Sequence, residues 1–212
     1  MRILITAGPT REPIDAVRFI SNRSSGMIGI ALAQAALERG HQVTLLMGPA
    51  PAAAQLPRPN LVLGVGRFES SAELEQLLDQ HFPECDVLVM AAAVADYRPA
   101  ATAPGKPPAR RDRPWPLPLE PTPDLVAQLA RRKRPQQRII AFALEEPDRL
   151  EARALEKMQR KGVDAVVANP LETMESDAIE PLWLTGGSRE APGRMSKTDF
   201  ARWLVQRIER WN

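Results

Sequence analysis

The chain is poor in the residues that build disulfides, zinc sites and histidine-based catalytic triads. Its 212 residues include one cysteine and two histidines. A disulfide needs two cysteines, a structural zinc site needs about four Cys or His ligands, and a Ser-His-Asp triad needs a histidine beside its serine. We therefore predict no metal ligands in the protein, and we interpret Cys85 as a core residue of a protein in a reducing compartment.

Aromatic residues and charge of one sign are also scarce. Aromatic side chains make up 5% of the chain, and the formal net charge is +2. The basic cluster at residues 131–134 closes an amphipathic segment, where cations complement the carbonyl end of a helix. A solvated helix terminus is the favoured interpretation, and no nucleic-acid partner is predicted.

No apolar run approaches the roughly 20 residues that are needed to span a bilayer. Met1 leads directly into the strand-like residues 2–6 rather than into a charged and apolar leader. The expectation is a cytoplasmic protein without membrane contact.

What the chain does contain is a regular alternation of strand and helix patterns. Apolar runs predict strands at residues 3–5, 43–47, 61–65, 86–92, 139–144, 165–168 and 182–184. Helical patterns cover residues 24–39, 70–80, 148–161 and 196–210. This order predicts one α/β domain over residues 1–212, a Rossmann-like three-layer fold with a mostly parallel central sheet and helices on both faces.

Residues 99–123 interrupt this alternation with nine prolines. Proline cannot donate to a sheet ladder, so the segment is not a central strand. It is either an arm that packs on a partner or a mobile surface flap.

The connection after the first strand is unusually long. Residues 7–23 separate the strand from its helix, about 17 residues where two to six are usual. In parallel sheets such loops lie at the edge where ligands bind. The loop includes Gly8 and Thr10, and Ser24-Ser25-Gly26 then places hydroxyls and free N–H groups at a helix start, which suits an anion.

Residues 7–15 and 18–26 together are similar to the signature of phosphopantothenoylcysteine synthetases. This family joins L-cysteine to 4′-phosphopantothenate in coenzyme A biosynthesis. The resemblance implies that Asn22 contacts an activated acyl intermediate and that Arg18 helps to hold the same region.

The resemblance extends along most of the chain. Residues 91–98 look like the family segment whose alanine backbone, here Ala92 and Ala93, and aspartate, here Asp96, contact the nucleotide. Lys106 matches the first lysine of a Lys-x-Lys-Lys motif. Further implied nucleotide contacts are Thr122, Pro123, Phe142, Lys157 and Lys161, and Asn169 completes a Val-Ala-Asn motif after a strand.

The chain departs from the family pattern at the lysine motif. Lys106 is followed by Pro107-Pro108-Ala109, and Arg110 and Arg111 come just beyond. Arginine and lysine bind phosphate differently, so whether an arginine replaces the missing lysines stays open. The choice between CTP and ATP stays open as well, and no flavin-dependent decarboxylase segment is found.

The resemblance implies a two-step ligase. The phosphopantothenate carboxylate attacks the α-phosphate of a nucleoside triphosphate, and the cysteine amine then attacks the acyl-nucleotidylate. Mg²⁺ is expected with the triphosphate, and the family completes its active site across a homodimer, for which residues 99–123 are the candidate arm.

Two other interpretations remain. A non-catalytic nucleotide-binding relative is favoured by the broken lysine motif. An NAD(P)-dependent oxidoreductase is disfavoured because the first loop is long and the second strand ends in Met47-Gly48-Pro49 rather than in an acidic residue.

Overall fold

The computed structural model describes residues 1–50, 64–108, 112–174 and 176–211. Their strands are β1 (Arg2–Ala7), β2 (Arg11–Pro13), β3 (Phe19–Ser21), β4 (Gln42–Met47), β5 (Gly64–Arg67), β6 (Val87–Met90), β7 (Tyr97–Pro99), β8 (Leu119–Pro121), β9 (Arg138–Glu145), β10 (Ala165–Pro170), β11 (Ala178–Ile179), β12 (Leu182–Thr185), β13 (Arg189–Glu190) and β14 (Met195–Ser196). The helices are α1 (Met27–Glu38), α2 (Ser71–His81), α3 (Leu125–Arg132), α4 (Leu150–Lys161) and α5 (Lys197–Arg210), with short 3₁₀ turns at Phe82–Glu84 and Leu171–Thr173.

Eight of these strands form one central sheet in the order β13-β12-β10-β9-β6-β1-β4-β5. The six strands from β10 to β5 run parallel, and β12 and β13 add an antiparallel edge. Strands β6 and β10 are buried at every position, which explains their continuous apolar character in the sequence. The prediction of a mostly parallel α/β sheet is confirmed.

Helices cover both faces of the sheet and divide the core into two clusters. One cluster joins α1 and α5 to β1 and β4, and it includes Phe200 and Leu204. The other joins α2, α3 and α4 to the opposite face, and it includes Leu74, Leu129 and Ala154. The predicted three-layer arrangement is therefore present, and we call these two surfaces the α1/α5 face and the α3/α4 face.

Cys85 lies in the second cluster, as its sequence context predicts. Its side chain is 4% exposed, and burial raises the pKa of the thiol to about 12. At neutral pH the group is therefore a thiol packed in the core rather than a reactive thiolate.

Three two-stranded antiparallel sheets stand outside the main sheet: the hairpin β2–β3, the hairpin β7–β8, and the pair of β11 with β14. The first lies within the long loop after β1. The second closes the base of the proline-rich segment, whose Ala103 N–H donates to the Ile14 carbonyl at 2.9 Å, while Ala16 donates to Gly105 at 3.0 Å. The predicted strand at residues 61–65 is described only from Gly64, and residues 61–63 lie outside the described part of the chain.

A glycine allows α1 to approach β1 closely. A Cβ on Gly29 would lie 2.3 Å from the Ala7 Cβ and 3.3 Å from the Thr6 carbonyl oxygen. Both neighbours are fully buried, so the helix itself would have to move.

We expect Gly29→Ala to lower the free energy of unfolding by about 1–3 kcal/mol, the usual cost of overpacking a core. Urea denaturation measures the change. Gly64→Ala is the control, because a Cβ there would meet Thr44 at an ordinary 3.8 Å. Equal stability of the two variants would contradict the close approach.

Candidate active site

A cleft of about 820 Å³ opens at the carboxyl ends of β6, β9 and β10. Its walls come from the start of α1, residues 90–96, residues 122–126, the end of β9 and the helix α4. This is the edge at which doubly wound sheets bind ligands. The cleft therefore gathers chain segments that are as far apart in the sequence as Ser21 and Lys197.

The floor of the cleft, residues 91–95, is held by backbone and threonine bonds from the first loop. The Thr6 hydroxyl accepts from the Ala92 N–H at 3.1 Å, and the Gly8 carbonyl accepts from the Ala93 N–H at 2.9 Å. Thr10 binds twice, donating its N–H to the Ala93 carbonyl at 3.1 Å and accepting from the Ala95 N–H at 3.0 Å. Ala92 and Ala93 line the cleft, whereas Gly8 and Thr10 lie behind it and position the floor.

Asn22 reaches across this floor. Its side-chain Nδ2 donates to the Ala93 carbonyl at 3.1 Å, and the residue is exposed to the cleft. An amide nitrogen carries two hydrogens, so one bond to Ala93 fixes the group and leaves the second hydrogen for a ligand. Asn22 is thus a preorientated donor at the wall of the cleft.

The predicted anion site lies beside Asn22. Ser24, Ser25 and Gly26 line the cleft where α1 begins, and Gly26 adopts φ 77° at the N-cap without a side-chain cap bond. A helix start without such a cap leaves backbone N–H groups for an anion. A Cβ on Gly26 would also lie 2.6 Å from the Met47 Cε. Both the positive φ and this close contact therefore favour glycine at residue 26.

The α3/α4 face contributes the cations. Lys157, Arg160 and Lys161 of α4 line the cleft. Lys157 Nζ donates to the Phe142 carbonyl at 2.6 Å, and burial together with the charge of Lys161 lowers its pKa below 10.5. Lys161 Nζ donates to Asp124 at 2.9 Å. A polyanion therefore meets two lysines in different states, one half-buried and without a carboxylate bond, and one already paired with a carboxylate.

Thr122, which stands where the resembled motif has an asparagine, closes one side of the cleft. Its N–H donates to the Asp96 carbonyl at 2.9 Å, and its hydroxyl donates to the Ala95 carbonyl at 2.5 Å. Asp96, Thr122, Pro123 and Phe142 all line the cleft. The substitution thus ties the Ala91–Asp96 segment to the end of β8.

Arg18 and Lys106 lie outside the cleft lining of their own chain. The Arg18 Nε donates to Asp15 Oδ2 at 2.7 Å, and its guanidinium lies 4.3 Å from the centre of the Trp115 ring. Lys106 is exposed on the proline-rich segment. Arg110 and Arg111 lie outside the described residues.

Asp15 fixes the turn that carries Arg18. It accepts from the backbone of Val17 and of Arg18 at 2.8 Å each, and the hydrogen bond from the Arg18 side chain is the main cause that lowers the Asp15 pKa from 3.8 to about 2. A depressed carboxyl pKa stabilises the fold above the ordinary pKa, and this stabilisation is lost as the pH falls through about 2.

Asp15→Asn is therefore expected to lower the melting temperature at pH 7, and the difference from the wild type should shrink as the pH falls from about 4 towards 2. Thermal unfolding followed by circular dichroism at several pH values tests this. Asp148→Asn, at a carboxyl that is 75% exposed, is the control and should leave the melting temperature unchanged. A pH-independent difference for Asp15→Asn would argue against the ionic role.

Among the cleft residues to which the sequence-based prediction gives no function are Arg160, Lys197 and Asn169, although Asn169 belongs to a motif that it names. Asn169 could have been noticed as a polar residue that directly follows a buried strand. Lys197 and Arg160 give no comparable signal, because surface lysines and arginines on helices are usually solvated.

Among the described residues, no three His, Cys, Asp or Glu side chains come together as a possible metal site. The same residues include no helix with the length and hydropathy of a bilayer span. The cleft lies at the carboxyl edge of the parallel strands, and the lysines in its lining suit an anionic ligand.

Comparison with known proteins agrees with this geometry. The model of the family "DNA/pantothenate metabolism flavoprotein C-terminal domain" matches residues 1–211. The chain belongs to this family.

Its relatives include coenzyme A biosynthesis bifunctional proteins and a decarboxylase. The coenzyme A biosynthesis bifunctional protein CoaBC of Mycobacterium tuberculosis is 40% identical over 222 residues, covering 98% of this chain and 51% of that protein. A cysteine/cysteine sulfinic acid decarboxylase from an unknown prokaryotic organism is 42% identical over 171 residues, covering 81% of this chain and 46% of that protein. The chain thus spans about half the length of the curated relatives it matches.

A solved structure matches nearly the whole chain. The crystal structure of the C-terminal domain of a CoaBC protein superposes with a TM-score of 0.82 at 33% identity, covering 99% of this chain and 94% of that one. The matched half is therefore a C-terminal domain, and the resemblance to the synthetase signature falls within it.

Proposed function

We propose that the chain is a phosphopantothenate–cysteine ligase that forms an acyl-nucleotidylate of 4′-phosphopantothenate and transfers the acyl group to the amine of L-cysteine. One observation carries the proposal. The Asn22 amide, the open start of α1 and the α4 lysines line a single cleft at the ligand-binding edge of the sheet.

The first step is displacement at the α-phosphate, in which the substrate carboxylate forms the new P–O bond and pyrophosphate leaves. The protein contributes charge neutralisation and orientation rather than a covalent intermediate. Lys157 and Lys161 offset the charge of the triphosphate, while the base and sugar lie against Ala92, Ala93 and Asp96. Mg²⁺ would enter with the triphosphate oxygens, since Mg²⁺ commonly binds substrate phosphates and only one or two carboxylates.

The second step is attack of the cysteine amine on the acyl carbon, with the nucleoside monophosphate as leaving group. Negative charge develops on the acyl oxygen as the amine adds. The free hydrogen of Asn22 Nδ2 can donate to this oxygen, because the other hydrogen is held by Ala93. A donor that is fixed before the reaction stabilises the charge without reorganising.

A homodimer is part of the proposal. Five large apolar side chains that are about half exposed share the hairpins β2–β3 and β7–β8 and their connections: Val17, Phe19, Tyr97, Trp115 and Leu119. Clustered apolar side chains of this kind mark protein interfaces. In such a dimer, Arg18 and Lys106 would lie at the cleft of the partner subunit. This would explain why they lie outside the cleft of their own chain.

The deciding assay for the activity is pyrophosphate release with 4′-phosphopantothenate and Mg²⁺, comparing CTP with ATP, followed by detection of the cysteine amide. Release of pyrophosphate and formation of the amide support the ligase. Nucleotide binding without turnover would instead support the non-catalytic relative, which the broken lysine motif after Lys106 favours.

The dimer can be tested by mixing two variants that are each defective in forming the cysteine amide and by measuring that amide. Lys106→Met removes the arm cation and Asn22→Asp removes the acyl donor. If Lys106 acts in the partner's cleft, each mixed dimer contains one intact site out of two. Random mixing of equal amounts makes about half of the dimers mixed, so about a quarter of the wild-type rate of amide formation should return. No recovery on mixing would place Lys106 in the cleft of its own chain or outside the chemistry.

A further inference from the structure

The cleft continues onto the α1/α5 face, where the proposed nucleotide contacts leave two residues without a role. Asn169, at the end of β10, and Lys197, the first residue of α5, both line the cleft. Each has a feature that points to a ligand.

Asn169 is a buried polar group whose oxygen is unsatisfied. The residue is 4% exposed, and its Oδ1 has no hydrogen-bond partner among the described residues. A buried acceptor without a partner destabilises the fold, because its desolvation is not compensated by a hydrogen bond. Since this acceptor lies in the wall of the cleft, a ligand that donates to it would relieve that cost.

The pleat of β10 places Asn169 on the α1/α5 face. Ala165 and Val167 of β10 pack in the cluster of α1 and α5, whereas Val166 and Ala168 pack in the opposite one. Successive side chains alternate between faces, so Asn169 follows Ala165 and Val167. On the neighbouring strand, Phe142 packs against the same cluster.

Lys197 reaches the cleft on this same face. Three residues along α5, Phe200 packs edge-on against Phe142 with 6.2 Å between ring centres, which fixes the start of the helix beside β9. The Lys197 backbone N–H donates to the Asp177 carbonyl at 3.2 Å. Lys197 is partly buried, and burial lowers the pKa of its ammonium group although the charge of Asp177 acts in the opposite direction. An anion bound in the cleft would add a further charge that favours the protonated form.

The cleft thus has cations on two sides of the sheet edge, Lys157 and Lys161 on the α3/α4 face and Lys197 on the α1/α5 face. In a displacement at phosphorus, the attacking and leaving oxygens lie roughly in line. The acyl substrate must therefore extend away from the pyrophosphate and from the lysines that hold it. Its far end carries a second phosphate.

Resting on the proposed function, we propose that Lys197 binds the terminal phosphate of 4′-phosphopantothenate and that Asn169 Oδ1 accepts a hydrogen bond from the pantothenate arm. The arm offers an amide N–H and a secondary hydroxyl as donors. Lys197 is then the residue that distinguishes a phosphorylated from an unphosphorylated acyl substrate. Asn169 contacts the pantothenate arm, which both substrates share.

The experiment compares 4′-phosphopantothenate with pantothenate as acyl substrates for the full chain. Lys197→Met should lower kcat/KM for the phosphorylated substrate by about 10- to 100-fold, the value of a hydrogen bond to a charged group. The value for pantothenate and the KM of the nucleotide should change by less than about twofold. Lys197→Arg should recover part of the preference, and Arg194→Met, which removes an exposed charge outside the cleft lining, should leave it intact.

Asn169→Leu provides an independent readout. It should lower kcat/KM for both acyl substrates by the same factor, about tenfold, while the melting temperature stays equal or rises, because an unsatisfied buried polar group is removed. A purely structural asparagine would show the opposite, a lower melting temperature with unchanged selectivity.

Three outcomes overturn the inference. The first is that Lys197→Met keeps the wild-type preference for the phosphorylated substrate, the second is that it raises the KM of the nucleotide instead, and the third is that the wild type shows no preference. A wild type that releases no pyrophosphate with either acyl substrate refutes the ligase itself and the inference with it. Activity with an unchanged preference refutes the inference alone.

Discussion

Asn22→Asp is expected to leave pyrophosphate release near the wild-type rate and to slow amide formation by about 10²–10³-fold. The substitution replaces the donor that the Ala93 carbonyl holds at 3.1 Å with a group that only accepts. The carboxylate would also repel both the Ala93 carbonyl and the negative charge that develops on the acyl oxygen. The first step gathers its charge on phosphate oxygens, so it should be spared.

Rapid quenching with radiolabelled nucleotide separates the two steps, since the acyl-nucleotidylate should accumulate in the variant. Gln136→Glu makes the same amide-to-acid change at an exposed residue outside the cleft and should have no effect. Equal slowing of both steps would remove Asn22 from its assigned role, while leaving the ligase proposal open.

Lys157→Met is expected to lower kcat/KM for the nucleotide by about 10²-fold, because a desolvated charge-assisted bond to phosphate is lost. Lys161→Met should cost less, since Lys161 already shares its charge with Asp124 at 2.9 Å. Initial rates at varied nucleotide concentration measure both. Arg153→Met, one turn earlier on α4 at a side chain that is 51% exposed, is the matched control.

The lowered pKa of Lys157 predicts that the kcat/KM for the nucleotide decreases at alkaline pH. The pKa of Lys157 is lowered from 10.5 by burial and by Lys161, and the protonated form is the one that attracts phosphate. The kcat/KM for the nucleotide should therefore fall as the pH rises through a value below 10.5, and Lys157→Met should lack this limb. An identical alkaline limb in the variant would assign the titration to another group.

The parallel sheet could be predicted because its strands are buried on both faces. Strands β1, β4, β6, β9, β10 and β12 each coincide with a short apolar run, and Ser70 caps α2 with a bond of 3.2 Å to the Glu73 N–H, as the capping pattern indicates. The hairpins β2–β3 and β7–β8 could not be predicted. Their strands are three residues long, and three of the four contain a proline. They are defined only by the strands with which they pair in the folded chain.

The sequence predicted which residues belong to the site better than it predicted how they are arranged. Twelve of the predicted residues line the cleft: Asn22, Ser24, Ser25, Gly26, Ala92, Ala93, Asp96, Thr122, Pro123, Phe142, Lys157 and Lys161. Gly8 and Thr10 lie behind its floor, and their direct contact with a nucleotide stays a prediction, as do the roles of Arg18 and Lys106. A motif identifies which residues act together, but it does not distinguish a residue that touches the ligand from one that supports it.

The oxidoreductase interpretation finds no support in the first loop. A dinucleotide site needs a tight glycine turn between strand and helix. Here the chain leaves β1, forms the hairpin β2–β3 and returns to α1 at Gly26. The pyrophosphate of a dinucleotide would have no such turn to bind.

The Thr6, Gly8 and Thr10 bonds to residues 92–95 have a thermodynamic consequence. Because the N–H groups of Ala92, Ala93 and Ala95 are already satisfied, this backbone loses little entropy when a ligand arrives. Most of the free energy of contact with that surface is then retained as affinity. Nucleotide analogues that fill only this part of the cleft should for that reason bind with high efficiency per atom.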